Sequence, residues 1–393
     1  MRDDVVIVGG VRTAIGTFGG ALAAVPPARL GALCVAEALR RAEVPGDQVG
    51  HVVFGNVIPT EPRDAYLSRV AAIEGGIPKE TPAFTVNRLC GSGLQAIVSA
   101  AQAILLGDAE VAVAGGAESM SRSPHLLSSV RFGQRMGDAT AVDYMIGVLS
   151  DPFGAGHMGV TAENVAKRYG VTREAQDAFA AESQRRAAAA IADGRFREQI
   201  LPVEVQRKRE TAAFDTDEHP KATTVDDLAR LKPAFARDGS VTAGNASGLN
   251  DGAAALVLMS AARAEREGRR PLARIRGYGH AGVEPSEMGI GPVPAVRALL
   301  ERTGQRIADF DVIESNEAFA AQACAVTREL DLDPALVNPN GGAIALGHPI
   351  GASGAIIAVK ALYELARTGG RHGLVTMCIG GGQGIALAIE RLN

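Results

Sequence analysis

Tryptophan is absent from this 393-residue chain, and only 11 Phe and 5 Tyr supply aromatic surface. The core must therefore be built from small and aliphatic side chains. Apolar residues reach 47%, glycine fills 47 positions and charged residues make up only 21%, a balance that excludes a disordered chain and fits a Gly/Ala-rich α/β protein. Cysteine is scarce as well. Cys34, Cys90, Cys324 and Cys378 form no C-x-x-C pair, which argues against a disulfide framework, and no His/Cys cluster has metal-ligand spacing. Individual reactive thiols in a reducing compartment are what remains. A net charge of −4, with basic and acidic residues interspersed, excludes a general nucleic-acid binder, though local cations could still hold a phosphorylated small molecule. No uninterrupted apolar run reaches the length of about 18 residues that a membrane span needs. The start, MRDDVVIVGG, has no basic and apolar leader pattern and runs straight into a strand, so a cytoplasmic protein is expected.

The length allows two or three domain-sized units. Glycine-bounded runs such as Val5–Val8, Val52–Phe54, Val111–Val113, Ala255–Leu258, Val312–Ile313, Leu374–Thr376 and Ile385–Ile389 alternate with helical patterns, which predicts α/β layering. A faint repeat links the stretch from Gly91 to the stretch from Ala352. In each, x-Ser-Gly opens a long apolar helix, followed by a loop, a buried strand and a glycine cluster. Duplicated halves would explain it, although any two α/β units share such features. Residues 121–251 differ in texture: they hold 35 of the 84 charged residues and few strand signals, and so read as a long inserted, ligand-binding segment. The expected division is residues 1–120 with 252–270 as one half, 121–251 as the insertion, and 271–393 as the other half.

Four segments carry chemistry. In FTVNRLCGSGLQAIV, a strand ends at Cys90 and a helix follows, so the thiol would stand at a helix N-terminus, where N–H groups and the dipole favour a thiolate. The alternative is a structural cysteine at an ordinary strand-to-helix turn. In GGAIALGHPIGASG, His348 lies between Gly347 and Pro349, which holds it extended and away from a regular element. In VTMCIGGGQG, Cys378 ends a buried strand at the usual edge for α/β active sites. In ESNEAFAAQ, Asn316 and Glu317 open a predicted helix, where Asn316 would also serve as a cap.

NRLCGSGLQAI, NEAFA, GGAIALGHPIGASGA and CIGGGQGIA resemble, in order, the signature segments of the thiolases, the acetyl-CoA C-acyltransferase family, and bacterial short-chain β-ketothiolases in particular. The likeness runs through RTAIGTFGG, AGGAESMS, HMGVTAENVA and TAGNASGLNDGAAA, and so covers essentially the whole chain. It implies an α/β fold of two duplicated halves in a five-layer αβαβα sandwich with an inserted loop domain. It also implies a reversible ping-pong Claisen condensation of acetyl-CoA with an acyl-CoA to give a short-chain 3-ketoacyl-CoA and CoA.

By that resemblance Cys90 carries the acyl group, His348 takes its proton, and Cys378 moves a proton at the α-carbon of acetyl-CoA. His348 with a water held by Asn316 would bind one oxyanion, and the N–H groups of Cys90 and Gly380 the other. Coenzyme A would lie against Ser247, Ala246 and Gly248, with His157 and Met158 beside its acyl and pantetheine parts. Met288, Ala318 and Phe319 would wall the pocket, and Lys221 would be one nearby cation for the phosphates or simply a solvated surface residue. No metal or cofactor is called for, since CoA is substrate and product. A homodimer or homotetramer is expected, with residues 122–145 as a candidate tetramer contact. Two other readings stay open: a non-catalytic CoA-ester or lipid binder, and a decarboxylating ketoacyl synthase.

Overall fold

A computed structural model describes residues 4–207 and 210–392. Nine strands form one hydrogen-bonded path: β1 (Val5–Thr13), β2 (His51–Gly55), β3 (Ala83–Val86), β4 (Val111–Ser119), β5 (Asn250–Ser260), β6 (Ala273–Gly282), β7 (Val312–Ser315), β8 (His372–Ile379) and β9 (Gln383–Arg391). Their order across the path is β7-β8-β9-β6-β1-β5-β4-β2-β3, and the short strands Gly16–Thr17 and Ile200–Leu201 pair beside it. The path divides at its weakest link. β1 and β6 pair only at Val6–Arg274 and Ile7–Ala273, whereas β5 pairs with β4 along nine residues. Two sheets therefore meet edge to edge at β1/β6.

Seven helices set the layers: α1 (Pro27–Ala42), α2 (Ser92–Leu106), α3 (Met158–Tyr169), α4 (Arg173–Ala192), α5 (Pro292–Thr303), α6 (Ala320–Glu329) and α7 (Ile350–Thr368). α1 covers the outer face of β1 and β5, and α5 covers β6 and β9. Between the sheets lie α2 and α7, packed on each other. α2 also touches β2 and β4, while α7 touches β4 and β5 on one side and β7 and β8 on the other. The order α, β, α, β, α is the five-layer sandwich that the resemblance implies. The two central helices are the two copies of the sequence repeat. Their burial follows from composition: every residue of α7 from Ile350 to Leu362 is buried, and a helix apolar all round belongs in a core. The window Leu89–Leu106 is long and apolar enough to cross a bilayer, but 67% of it is buried inside the protein.

Within residues 121–251, Thr172 caps α4 by accepting the Ala175 N–H, and Gly194 follows its end at φ +68°. Although this segment interrupts the N-terminal half, α3 and α4 both pack on α6, and α4 also on the turn Ala343–Leu346. The helix after Asn316 starts only at Ala320, with Phe319 at its cap position, so Asn316 caps nothing and stands in a loop.

Candidate active site

The chemistry-bearing segments leave the C-terminal ends of β3, β7 and β8 and the N-terminus of α7. At Cys90 the chain bends sharply, and Leu89 is held at φ +44°, a strained conformation for a leucine. Ser92 locks the bend: its Oγ accepts the Arg88 N–H at 2.9 Å and donates to the Leu89 carbonyl at 2.6 Å. The β8 end closes on this turn. A Cβ on Gly91 would lie 2.5 Å from Ile379 Cδ1, and one on Gly380 would lie 3.0 Å from Leu89 Cδ1. A side chain at either glycine would have to displace Ile379 or Leu89, so the two loops meet closely where they carry none.

His348 is 5% exposed. Its Nδ1 lies 2.6 Å from Ser353 Oγ, which in turn donates to the Pro349 carbonyl at 2.9 Å. The hydroxyl has one proton to give, so Nδ1 must be the donor to it. Nε2 is left as the basic lone pair, 3.4 Å from Asn316 Nδ2. The His348 backbone N–H is tied to Asn250 Oδ1 at 2.9 Å. Asn316 is buried, and its Oδ1 has no hydrogen-bond partner. Its loop is held from below: Asn338 Nδ2 donates to the Ser315 carbonyl and to Glu317 Oε1, and Ser183 Oγ donates to Glu317 Oε2. Glu317 is thus a scaffold for Asn316.

Burial governs the titration of all three groups. The Cys90 thiol is pushed up to about 11 by burial, against the pull of the N–H groups of Gly380 and of Cys90 itself. This corrects the expectation that the helix N-terminus would favour a thiolate there: loss of hydration outweighs it. Cys378 is raised further, by burial first and then by the charge of Cys90. Burial lowers His348 to about 4.

A cavity of about 380 Å³ is lined by Cys90, His348 and Gly380 together with Ala246, Ser247, Gly248, His157, Met158, Met288, Ala318 and Phe319. Cys378 packs in one apolar cluster with Met158, Met288, Ala318 and Phe319. The floor is held by backbone pairing: Ser247 N–H donates to the Ala318 carbonyl at 3.0 Å. His157 stacks on Phe235 with centroids 4.9 Å apart, and Phe235 meets Phe319 edge-on. Lys221 stands outside. It lines a neighbouring cavity of about 310 Å³ with His219, Leu231 and Gly244, and Ala243 lines both. Cys34 is buried in the core, while Cys324 is half-buried and lines a separate hollow beside Glu317. Sequence reasoning missed Ser353, Asn250 and Phe235. Ser353 lies five residues beyond His348, in the first turn of α7, where a serine reads as an ordinary helix start.

Comparison with known proteins settles the lineage. The thiolase N-terminal domain family matches residues 5–262 and the thiolase C-terminal domain family matches residues 269–391. The chain belongs to the thiolase family. The beta-ketothiolase BktB of Cupriavidus necator is 65% identical over the full length of both chains. An acetyl-CoA acetyltransferase of Pseudomonas aeruginosa is 56% identical over 99% of each. Among solved structures, the Bacillus anthracis acetyl-CoA acetyltransferase superposes with a TM-score of 0.97 at 49% identity, covering 100% of this chain and 99% of that one. Human mitochondrial 3-ketoacyl-CoA thiolase in complex with CoA superposes with a TM-score of 0.96 at 44% identity, covering 99% and 98%. This thiolase is an acyltransferase of the condensing and thiolytic type.

Proposed function

We propose that this thiolase runs its reversible reaction on short-chain 3-ketoacyl-CoA through an acyl group on Cys90, with His348 and Cys378 as the proton carriers. The observation that carries this reading is the convergence of Cys90, His348 and Gly380 on one cavity, with Cys378 packed into its wall and Asn316 bonded to His348.

In thiolysis, Cys90 sulfur attacks the 3-keto carbon while its proton passes to His348 Nε2. The N–H groups of Cys90 and Gly380 receive the developing oxyanion. As the C–C bond breaks, the Cys378 thiol gives its proton to the α-carbon and acetyl-CoA forms. Its raised pKa makes Cys378 a thiol at neutral pH, the form this direction needs, and makes its thiolate a strong base for the reverse step. The imidazolium proton restores Cys378. CoA then attacks acyl-Cys90, its proton passing by way of His348 to the departing sulfur. The unpartnered Asn316 Oδ1 suits a bridging water beside the thioester oxygen. Every step is side-chain acid–base or nucleophilic chemistry, so CoA enters as substrate and product.

The cavity walls fit a pantetheine arm, with Ser247 at the paired backbone and His157–Phe235 as a flat apolar face. That the human relative was solved with CoA supports this use of the cavity. Met120, Met158 and Met288 line the cavity that Cys90 opens into, and such adaptable side chains suit a small acyl group with moderate extension. Lys221, one cavity further out, is our nomination for the CoA phosphates. The four free cysteines suit a reducing compartment, which supports a cytoplasmic site of action.

Isotope exchange tests the assignment. Cys90→Ala should lose acylation by acetyl-CoA and on the order of 10³-fold or more of turnover. Cys378→Ala should still acylate but fail to exchange the α-protons of acetyl-CoA with deuterium. A stable acyl adduct on Cys90→Ala, or normal exchange in Cys378→Ala, would overturn it. Unchanged absorbance of magnesium acetoacetyl-CoA on incubation of the wild-type protein with CoA would indicate a mere binder.

A further inference from the structure

Glu118 is a buried acid that the chemistry above leaves without a role. It sits at the end of β4, 0% exposed. Its Oε1 accepts Asn56 Nδ2 at 2.9 Å and the Ile58 N–H at 3.0 Å. Its Oε2 accepts the Val57 N–H at 3.0 Å and the Gly351 N–H at 2.8 Å. One carboxylate thus joins two parts of the molecule that are distant in sequence: the loop after β2 and the first turn of α7. Burial raises the Glu118 carboxyl, and the N–H groups of Ile58, Val57 and Gly351 pull it back. All four groups bonded to it are donors, so a proton on either oxygen would oppose one of them, and the site is built for the ionised form. A Cβ on Gly351 would lie 2.4 Å from Glu118 Oε2, so the approach is possible only at a glycine.

The turn so held is the one that carries the imidazole. His348 lies three residues before Gly351 and Ser353 two after it, and the Nδ1–Oγ bond between them spans the pinned position. We propose that Glu118 is a positioning residue: by clamping the Gly351 N–H to the Asn56–Ile58 loop, it fixes the His348–Ser353 pair, and hence Nε2, relative to Cys90. This rests on the reading of His348 as the base. An unneeded carboxylate at this depth would be costly, because buried charge is tolerated only when its bonds are complete.

The test compares the full-length enzymes Glu118→Gln, Glu118→Asp, Asn56→Ala and His348→Ala. Active sites are counted by burst acetylation of Cys90, and kcat per counted site, KM for CoA and the rate of Cys90 alkylation by iodoacetamide are measured. Glu118→Gln turns one oxygen into a donor facing donors. It should lower kcat per site and the alkylation rate together, by about 10- to 100-fold, with KM for CoA within about twofold of wild type. Glu118→Asp keeps the charge and should recover part of the loss. Asn56→Ala leaves three donors and should give a smaller loss of the same kind, which decides the matter if Glu118→Gln does not fold. Wild-type kcat per site and alkylation in the folded Glu118 variant, or in Asn56→Ala should the Glu118 variants not fold, would overturn the proposal. So would fewer active sites with each at full rate. His348→Ala separates the readings: if it turns over normally, the base assignment itself fails, whereas an inactive His348→Ala beside a normal Glu118→Gln removes only the clamp.

Discussion

A thiol that titrates at about 11 and an imidazole that titrates at about 4 form a neutral pair across the whole physiological range. On the mechanism proposed above, the free enzyme then needs no preformed thiolate: attack and proton transfer to His348 would go together. The sign for pH follows. Protonating His348 removes the base, so activity is lost as pH falls through about 4, and not through the ordinary histidine value near 6.5. We expect kcat/KM for acetoacetyl-CoA thiolysis to be flat between about pH 5.5 and 8 once unfolded protein is discounted, since that ratio reports the free enzyme. An acid limb centred near 6.5 would mean that His348 titrates as a hydrated imidazole. Ser353→Ala tests the tautomer in the same way. Without Oγ, Nδ1–H loses its partner and the ring its orientation, and kcat should fall by up to about 100-fold with the fold intact by circular dichroism. The sulfurs and the imidazole were legible in the sequence because glycines frame them and a side chain with little local packing invites a functional explanation. Ser353 and Asn250 were not. A serine in the first turn of an apolar helix looks like an end signal, and the bond from Asn250 spans 98 residues. The height of the Cys90 pKa was misjudged for the same reason: a helix end is visible in sequence, but the apolar side chains that close over it are not.

The duplicated helices are where the fold and the site are one problem. α2 begins two residues after Cys90 and α7 two after His348, and they touch backbone to backbone. A Cβ on Gly354 would lie 2.3 Å from the Leu94 nitrogen, and one on Gly93 would lie 2.7 Å from the Ala355 nitrogen. An alanine within an exposed helix would raise stability by up to about 1 kcal/mol over glycine. Here overpacking works the other way, at roughly 1–3 kcal/mol or more, and no flexible side chain is present to give way. Gly354→Ala should therefore destabilise the protein in urea by about 2 kcal/mol net and reduce acylation of Cys90, because the wedge separates the helix ends that hold both groups. A variant of wild-type stability would show that the helices have slack at that crossing. The two helices and most strands were readable from long apolar runs and glycine punctuation. β6 was not read as a strand: Arg274, Arg276, Tyr278 and His280 alternate along it with Ala, Ile and Gly, and only Ala273 and Gly279 are fully buried. Its place is set by β9, which pairs with it from Ala273 to Gly282, and by α5 lying on Gly277 and Gly279, partners that no local pattern reveals.

Among the described residues, two surfaces that could meet another copy stand open in a single chain. The outer strand β3 ends the sheet path with Phe84 at 44% exposure, whereas the opposite edge, β7, is covered by a bridge from Ile313 to Val337. An open edge strand is a template for pairing with another copy. Far along the chain, the arm around the short pairing of His125–Leu126 with Val142–Asp143 carries Leu127, Val130, Phe132 and Met136 outward, with Phe132 97% and Met136 89% exposed. Exposed apolar side chains clustered on one arm mark an association surface. Two different self-complementary patches are what a tetramer of paired dimers requires, each closing one two-fold contact. We therefore expect the β3 edge to form a dimer and the arm to join two dimers. Replacing Phe132 and Met136 together by Ser should halve the mass measured by light scattering while leaving kcat unchanged, because neither residue lines the cavity that holds Cys90. A wild-type mass for the double variant would remove the arm from the assembly, and a monomer would assign it to the dimer contact instead.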